Sequence, residues 1–261
     1  MSARRKKPES RLLGNHQRSW LWGRNLVRET VAAGEWPILE LWLADDLPRD
    51  LSDLLVRQVS LRWGCEVQRA GRDVLERLCH DSAHQGCLAR MGPFPYRTLD
   101  QLLDGAAEKS AFLVLDGIQD SFNLGAILRS AQALGIAGLL LGTRGQSPIT
   151  SQAARSSAGA VNRLPIAQVD SLPTALGLLR SRGIRILGTD PHAGTSLPQS
   201  DLTGSLAVVV GNESQGISAE VWECCDDRVR IPLGGEVESL NAAAAATIVC
   251  YERLRQNPTD C

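Results

Sequence analysis

Phe112-Leu-Val-Leu-Asp-Gly-Ile-Gln-Asp-Ser-Phe-Asn-Leu-Gly-Ala-Ile-Leu-Arg-Ser-Ala-Gln-Ala-Leu-Gly135 opens on an apolar run, turns at Asp116-Gly117, and closes in a helical rhythm. The unbroken run predicts a strand buried on both faces, and Leu124–Leu134 predicts the helix that follows it. The same pattern of strand, turn and helix continues to the C-terminus. Further strands are predicted at Gly138–Leu141, Leu164–Ala167, Ile184–Leu187, Leu206–Val210 and Arg228–Ile231. Helices fit at Ser151–Ser157, Leu172–Arg182, Ser218–Cys224 and Leu240–Leu254. Apolar strands alternating with helices imply an α/β fold with a parallel sheet covered on both faces. Ligands of such sheets sit beyond the carboxyl ends of the strands.

Working outward, residues 19–92 form a smaller α/β module with a different rhythm, and 111–258 form the large domain. In the module, a helix spans Gly23–Gly34 with Leu26, Val27, Val31 and Ala32 on its apolar face. A strand follows at Ile38–Leu43, then a helix over Leu51–Trp63 that uses Leu51, Leu54, Leu55, Val59 and Leu61. Val67 lies in a short strand and Arg72–Leu78 in a helix. Gly92-Pro-Phe-Pro-Tyr96 permits neither helix nor central strand, so residues 93–110 are read as the linker, with a short helix around Leu99–Ala107.

The net charge of −1 does not by itself advertise a nucleic-acid partner. Distribution matters more than total, and residues 1–18 read as a basic flexible tail carrying Arg4, Arg5, Lys6, Lys7 and Arg11. No apolar stretch approaches the roughly 20 residues that span a bilayer, and no apolar segment follows the basic start as in a secretory signal. A cytoplasmic protein without a membrane partner is expected. The seven cysteines include no CxxC pair, so neither a zinc site nor a disulfide framework is expected, and no metal.

Three strand-end segments carry the chemistry. In the first, Asn123 lies at the mouth of a helix, where it reads as an N-cap, and Arg129 follows six residues later. Alone, Arg129 is a solvated helix residue. In the second, Gly211-Asn-Glu-Ser-Gln-Gly216 has the spacing of a phosphate loop, but Ile217 stands where that loop needs lysine. A carboxylate at Glu213 suits hydroxyls, an amine or a sulfonium rather than phosphate; its plain structural reading is an acid at the next helix N-terminus. No GxGxxG occurs, which removes the dinucleotide reading. In the third, Ile231-Pro232 ends a strand and Ser239-Leu240-Asn241 opens a helix, with Ser239 as a plain N-cap. The alanines at 242–246 make a smooth helix face suited to a close backbone or a partner subunit.

In order and spacing these segments resemble the SpoU/TrmH (SPOUT) family of RNA ribose 2′-O-methyltransferases, in layout the 23S rRNA guanosine enzymes above all. The family pattern N-x-G-x(3)-R is met by Asn123, Gly125 and Arg129, and G-x-E-x-x-G by Gly211, Glu213 and Gly216. Its I-P-x(6)-S-L-N is met by Ile231, Pro232, Ser239, Leu240 and Asn241. The resemblance covers about residues 111–256. Leu21-Trp-Gly-Arg-Asn25 and His84-Gln-Gly86 resemble the two ends of the family's ribosomal-protein-like RNA-binding domain. Asp120-Ser-Phe-Asn123 lacks a proline common in the family, and five alanines replace larger or polar residues after Asn241; neither touches a motif position.

The resemblance implies a trefoil knot in the C-terminal domain, although knots are nearly absent elsewhere. It implies S-adenosylmethionine as methyl donor, held by Gly188, Thr189, Gly211, Ile231 and Leu240. It makes Arg129 the centre of catalysis with Asn123, Glu213, Ser239 and Asn241 around it. A guanidinium stays protonated, so Arg129 is expected to anchor phosphate and stabilise the developing oxyanion, with proton loss to phosphate or water. Asn123 and Ser239 would orient Arg129 or the ribose, Glu213 would bridge the motif loops, and Asn241 would fix the loop or contact substrate. A homodimer is implied too, with Arg129 serving either its own or the partner's site. RNA is the expected substrate because the 2′-hydroxyl distinguishes it from DNA. Ribosomal RNA is favoured over tRNA, with a guanosine of the large subunit as the single best target. An RNA-binding assembly factor without catalysis, a tRNA 2′-O-methyltransferase and a methyltransferase conferring antibiotic resistance stay open beside it.

Overall fold

The computed structural model describes residues 20–258, so the basic tail read at residues 1–18 lies outside the described residues. Two compact units are formed. The first takes residues up to Pro95 together with Thr150–Arg155, and the second Tyr96–Ile149 and the chain from Ser156 onward.

In the first unit, β1 (Trp20–Trp22), β2 (Ile38–Ala44), β3 (Val67–Ala70) and β4 (Cys87–Met91) form a sheet in the order β1-β4-β2-β3. β4 runs antiparallel to both its neighbours, and β3 runs parallel to β2. The helices are α1 (Arg24–Ala33), α2 (Arg49–Trp63) and α3 (Arg72–Cys79). The inward side of α1 is Val27, Thr30 and Val31, which one helical stripe brings together; Leu26 is half-buried and Ala32 exposed, contrary to the sequence reading. On α2, Leu55 and Val59 are buried with Ser52, while Leu54 and Leu61 are exposed, so the predicted apolar face was drawn too wide. The two ends of the module meet: β1 pairs β4, and the Arg24 N–H donates to Gln85 Oε1 at 3.0 Å. Arg155 lies over the Trp22 ring, 3.2 Å from its centroid, and burial lowers its pKa to about 10, still charged at neutral pH.

The second unit holds α4 (Leu99–Asp104), β5 (Ala111–Asp116), α5 (Ser121–Ala133), β6 (Gly138–Gly142), β7 (Ile166–Val169) and α7 (Leu172–Ser181), while α6 (Ser151–Ser156), between β6 and β7 in the chain, belongs to the first unit except for Ser156. Next come β8 (Arg185–Thr189), β9 (Thr195–Ser196), β10 (Leu206–Gly211), α8 (Ala219–Trp222), β11 (Asp227–Arg230) and α9 (Ala242–Gln256). The seven strands are ordered β7-β6-β5-β10-β8-β11-β9, and every pairing is parallel. β5 and β10 lie side by side near the middle, and their unbroken apolar stretches are buried as a doubly covered strand requires. β7 starts two residues later than its sequence suggests, and β11 ends before Ile231, which leaves Ile231-Pro232 in the following loop.

The smooth stretch of α9 turns Ala242, Ala243 and Ala246 inward, and α9 packs on α5. Small side chains let the two helices come close enough for a hydrogen bond of 2.7 Å between the hydroxyls of Thr247 and Ser130, in which Thr247 accepts because its own proton goes to the Ala243 carbonyl. At the far end of α9, the buried Arg253 guanidinium donates to the carbonyls of Leu202, Lys109 and Gly204. Arg253→Leu leaves these carbonyls without their donor and is expected to destabilise the second unit by about 2–4 kcal/mol, read from its denaturant midpoint. Burial raises the thiols of Cys87 and Cys225 to about 11 and of Cys250 to about 12, so they stay protonated and unreactive. Among the described residues no group of three potential metal ligands occurs, and no helix is long and apolar enough to cross a membrane.

Candidate functional site

The site is built on the turn that follows β10. Asn212 and Gly216 exchange backbone hydrogen bonds of 3.1 and 2.8 Å, which folds the turn back on itself. Glycine is required at 211 because a Cβ there would stand 2.2 Å from the Gly216 carbonyl carbon and 2.4 Å from the Ile217 nitrogen. The Asn212 side chain holds the turn from within, accepting from the Ser214 and Gln215 N–H groups. It also donates to the Gly117 carbonyl at 2.9 Å, tying the turn to the end of β5.

This construction points Glu213 at two helix starts. Its Oε1 accepts from Asn123 Nδ2 at 2.6 Å, from Asn241 Nδ2 at 3.4 Å and from the Ala242 N–H at 3.4 Å. Asn241 Nδ2 also donates to Asn123 Oδ1 at 3.1 Å. One carboxylate oxygen therefore joins the first turn of α5, the turn after β10 and the start of α9. Glu213 does serve a helix N-terminus, but that of α9 and not of the next helix, α8.

Neither predicted N-cap is where the sequence placed it. The cap of α5 is Asp120, whose carboxylate accepts from the Asn123 N–H at 2.8 Å, and Asn123 sits inside the first turn. The cap of α9 is Asn241, whose Oδ1 accepts from Ala243 and Ala244, so Ser239 lies in the loop before it. Both shifts have one cause: a side-chain oxygen two or three residues ahead of a free N–H reaches it without strain. Arg129 is exposed on α5 and makes no hydrogen bond or ion pair with the described residues. Six positions beyond Asn123, it lies about 120° around the helix from it, so the structure does not bring these two together.

Beside the cluster is a cavity of about 490 Å3 at the carboxyl ends of β8, β10 and β11. Of the residues named from the sequence, Thr189, Gly211, Glu213, Ile231, Ser239 and Leu240 line it. Gly188 lies just behind, where a Cβ would stand 2.2 Å from the Trp222 ring, so glycine lets that indole close the cavity wall. The rest of the lining includes apolar Val210, Ile217, Val229 and Leu233, the polar side chains of His192, Asn212, Ser214 and Gln215, and the carboxylates of Asp190 and Glu238. A lining that joins apolar side chains to three carboxylates, of which Asp190 pairs with Arg228, suits a cationic ligand with an apolar part and would repel a polyphosphate. Trp222 was missed by sequence reasoning; Arg228 stacks on it at 4.3 Å and pairs with Asp190 at 3.6 Å. Asp120 and Asn212 could have been found, since acids open helices and Asn organises tight turns. Trp222 carried no such signal.

Comparison with known proteins agrees with this architecture. Residues 110–251 match the SpoU rRNA Methylase family, and residues 20–97 match the domain described as RNA 2′-O ribose methyltransferase substrate binding. A Bacillus subtilis (strain 168) protein assigned to the TrmH family of tRNA/rRNA methyltransferases is 33% identical over 94% of this chain and 98% of its own length. The crystal structure of the SpoU methyltransferase AviRb from Streptomyces viridochromogenes, in complex with AdoMet, superposes with a TM-score of 0.78 at 27% identity, covering 96% of this chain and 94% of that one. An AdoMet-bound rRNA methyltransferase from Sinorhizobium meliloti shares the fold, with a TM-score of 0.82 at 22% identity over 96% and 92% of the two chains. The chain belongs to the SpoU family of RNA methyltransferases.

Proposed function

We propose that the protein transfers a methyl group from S-adenosylmethionine to a ribose 2′-hydroxyl of structured RNA, with a guanosine of large-subunit ribosomal RNA as the favoured target. The observation that carries this reading is the Glu213 carboxylate, which gathers Asn123 and Asn241 at the edge of the cavity lined by Gly211, Ile231 and Leu240. When bound, the donor supplies an electrophilic methyl on a sulfonium. The protein's own groups do the rest. Thr189, Gly211, Trp222, Ile231 and Leu240, with Gly188 behind them, hold the donor, and the carboxylates of the lining favour its positive charge. The Asn123–Glu213–Asn241 cluster fixes the relative positions of α5, the donor loop and α9, so that the acceptor meets a rigid frame. Arg129, exposed on α5, anchors a phosphate beside the acceptor ribose and stabilises the oxyanion as the hydroxyl proton leaves to phosphate or water. Ser239 orients the ribose.

Several further features belong to the same reading. Residues 19–92 serve as the RNA-binding module, 93–110 as linker and 111–258 as the knotted catalytic domain. Two copies pair through α5 and α9, where Phe122, Ile248 and Tyr251 are exposed by 60%, 37% and 57%. Arg129 of one copy then lies within reach of its own or the partner's acceptor. The cysteines among the described residues are free thiols, which fits the reducing cytoplasm expected for this activity. The test is transfer of labelled methyl from S-adenosylmethionine to deproteinised ribosomal RNA and, separately, to tRNA. Label in large-subunit RNA is the expected result. Label confined to tRNA would move the substrate, and tight RNA binding without label in either would favour the assembly-factor role.

A further inference from the structure

A second cavity, of about 600 Å3, opens at the carboxyl ends of β5, β6, β7 and β10, and the residues assigned to the methyl donor take no part in it. Its place in the fold is informative. From β5 the chain winds outward through β6 to β7, then crosses to β8 on the other side, so β5 and its neighbour β10 flank the point where strand order reverses. In open parallel sheets that crevice is where ligands bind. The cavity lies across it, bounded by Asp116 and Gly117 on one side and Asn212 on the other.

Its walls are held firmly. The Ser218 N–H donates to Asp116 Oδ2 at 2.7 Å, and Asn212 Nδ2 donates to the Gly117 carbonyl. Gln146 clasps the backbone of Ile118, accepting from its N–H and donating to its carbonyl, both at 2.9 Å, which locks the loop after β6 to the loop after β5. Projecting from this frame are exposed side chains of mixed character: Gln119, Thr143, Arg144, Asp170, Gln215 and Glu220. One cation with two exposed carboxylates would not hold a polyphosphate. It suits a single phosphodiester on Arg144, while Asp170 and Glu220 accept from the hydroxyl, imino and amino groups of a nucleoside. The volume lies within the usual range for small-molecule sites, about 300–1,000 Å3.

Asn212, Gln215 and Gly216 line this cavity and the donor cavity alike, so both adjoin the turn that carries Glu213. We propose that the second cavity receives a nucleotide of the RNA strand adjoining the methylated one, and that it sets the sequence context of methylation. The inference rests on the reading of the Asn123–Glu213–Asn241 cluster as the methylation centre.

The first arm of the test is saturation-transfer NMR with the four ribonucleoside 5′-monophosphates, at saturating S-adenosylhomocysteine so that the donor cavity is blocked. At least one is expected to bind, and to stop binding in Thr143→Trp, which fills the cavity from an exposed loop position, and in Arg144→Ala. Calorimetric affinity for S-adenosylhomocysteine should stay within about twofold in both variants, showing that fold and donor cavity are intact. Absence of binding by all four nucleotides, or binding that survives both variants, overturns the proposal. The second arm is filter binding of ribosomal RNA, expected to weaken about tenfold in Thr143→Trp. Loss of mononucleotide binding with unchanged RNA affinity would assign the cavity to a free nucleotide and overturn the RNA form of the proposal. A wild type that binds nucleotides here but methylates no RNA would instead remove the reading of the catalytic cluster.

Discussion

Arg129→Ala is expected to lower methyl transfer by about 10²–10³-fold while leaving folding and donor affinity unchanged. The side chain is exposed on α5 and makes no hydrogen bond or ion pair among the described residues, so its removal should cost within about 0.5 kcal/mol of stability. It lies outside the donor cavity, so S-adenosylhomocysteine should bind as in the wild type. What is lost is the fixed cation for the phosphate and the developing oxyanion. Arg129→Lys should recover little, because an ammonium cannot reproduce the planar two-pronged contact to a phosphate. Equal loss of kcat and kcat/KM would place the interaction in the transition state, whereas a rise in KM alone would reduce Arg129 to RNA anchoring.

Gly211→Ala is expected to abolish donor binding and destabilise the second unit by about 1–3 kcal/mol or more, the usual cost of overpacking. The added methyl would meet the backbone of Gly216 and Ile217, which no side-chain rotation relieves. The turn must open, and opening it moves Glu213 away from Asn123 and Asn241 and disturbs both cavities. Gly188→Ala makes a milder comparison, since its Cβ meets the Trp222 ring, the side chain of a short helix that can shift. Calorimetry with S-adenosylhomocysteine and thermal unfolding of both variants would rank them. Donor binding retained in Gly211→Ala would contradict the packing argument.

The parallel sheet was legible because β5, β6 and β10 are unbroken apolar runs between glycine-marked turns. Sheet order was not. β10 enters between β5 and β8 by pairings far apart in the chain, and no periodicity encodes such a neighbour. β1, β4 and β9 escaped notice: two or three residues are too few for a pattern in β1 and β9, and β4 carries Arg90 beside apolar neighbours. The width of helix faces was overdrawn at Ala32, Leu54 and Leu61 because periodicity gives direction and not depth. In the site, the resemblance named residues that the fold then gathers across large separations: Asn123 and Glu213 are 90 residues apart, and Asn123 and Asn241 are 118. Asp120 and Asn241 as the true caps were within reach of helix-start rules. Trp222 was not, because its role depends on the missing side chain of Gly188 in a neighbouring strand.

The central claim concerns where the methyl goes. The most direct test is to incubate wild-type protein with labelled S-adenosylmethionine and deproteinised ribosomal RNA, digest the product to nucleosides and identify the labelled one by chromatography and mass. The expected result is a single 2′-O-methylnucleoside, guanosine by preference, from one position of the large-subunit RNA. Label on a base, with the ribose unmodified, would contradict the account.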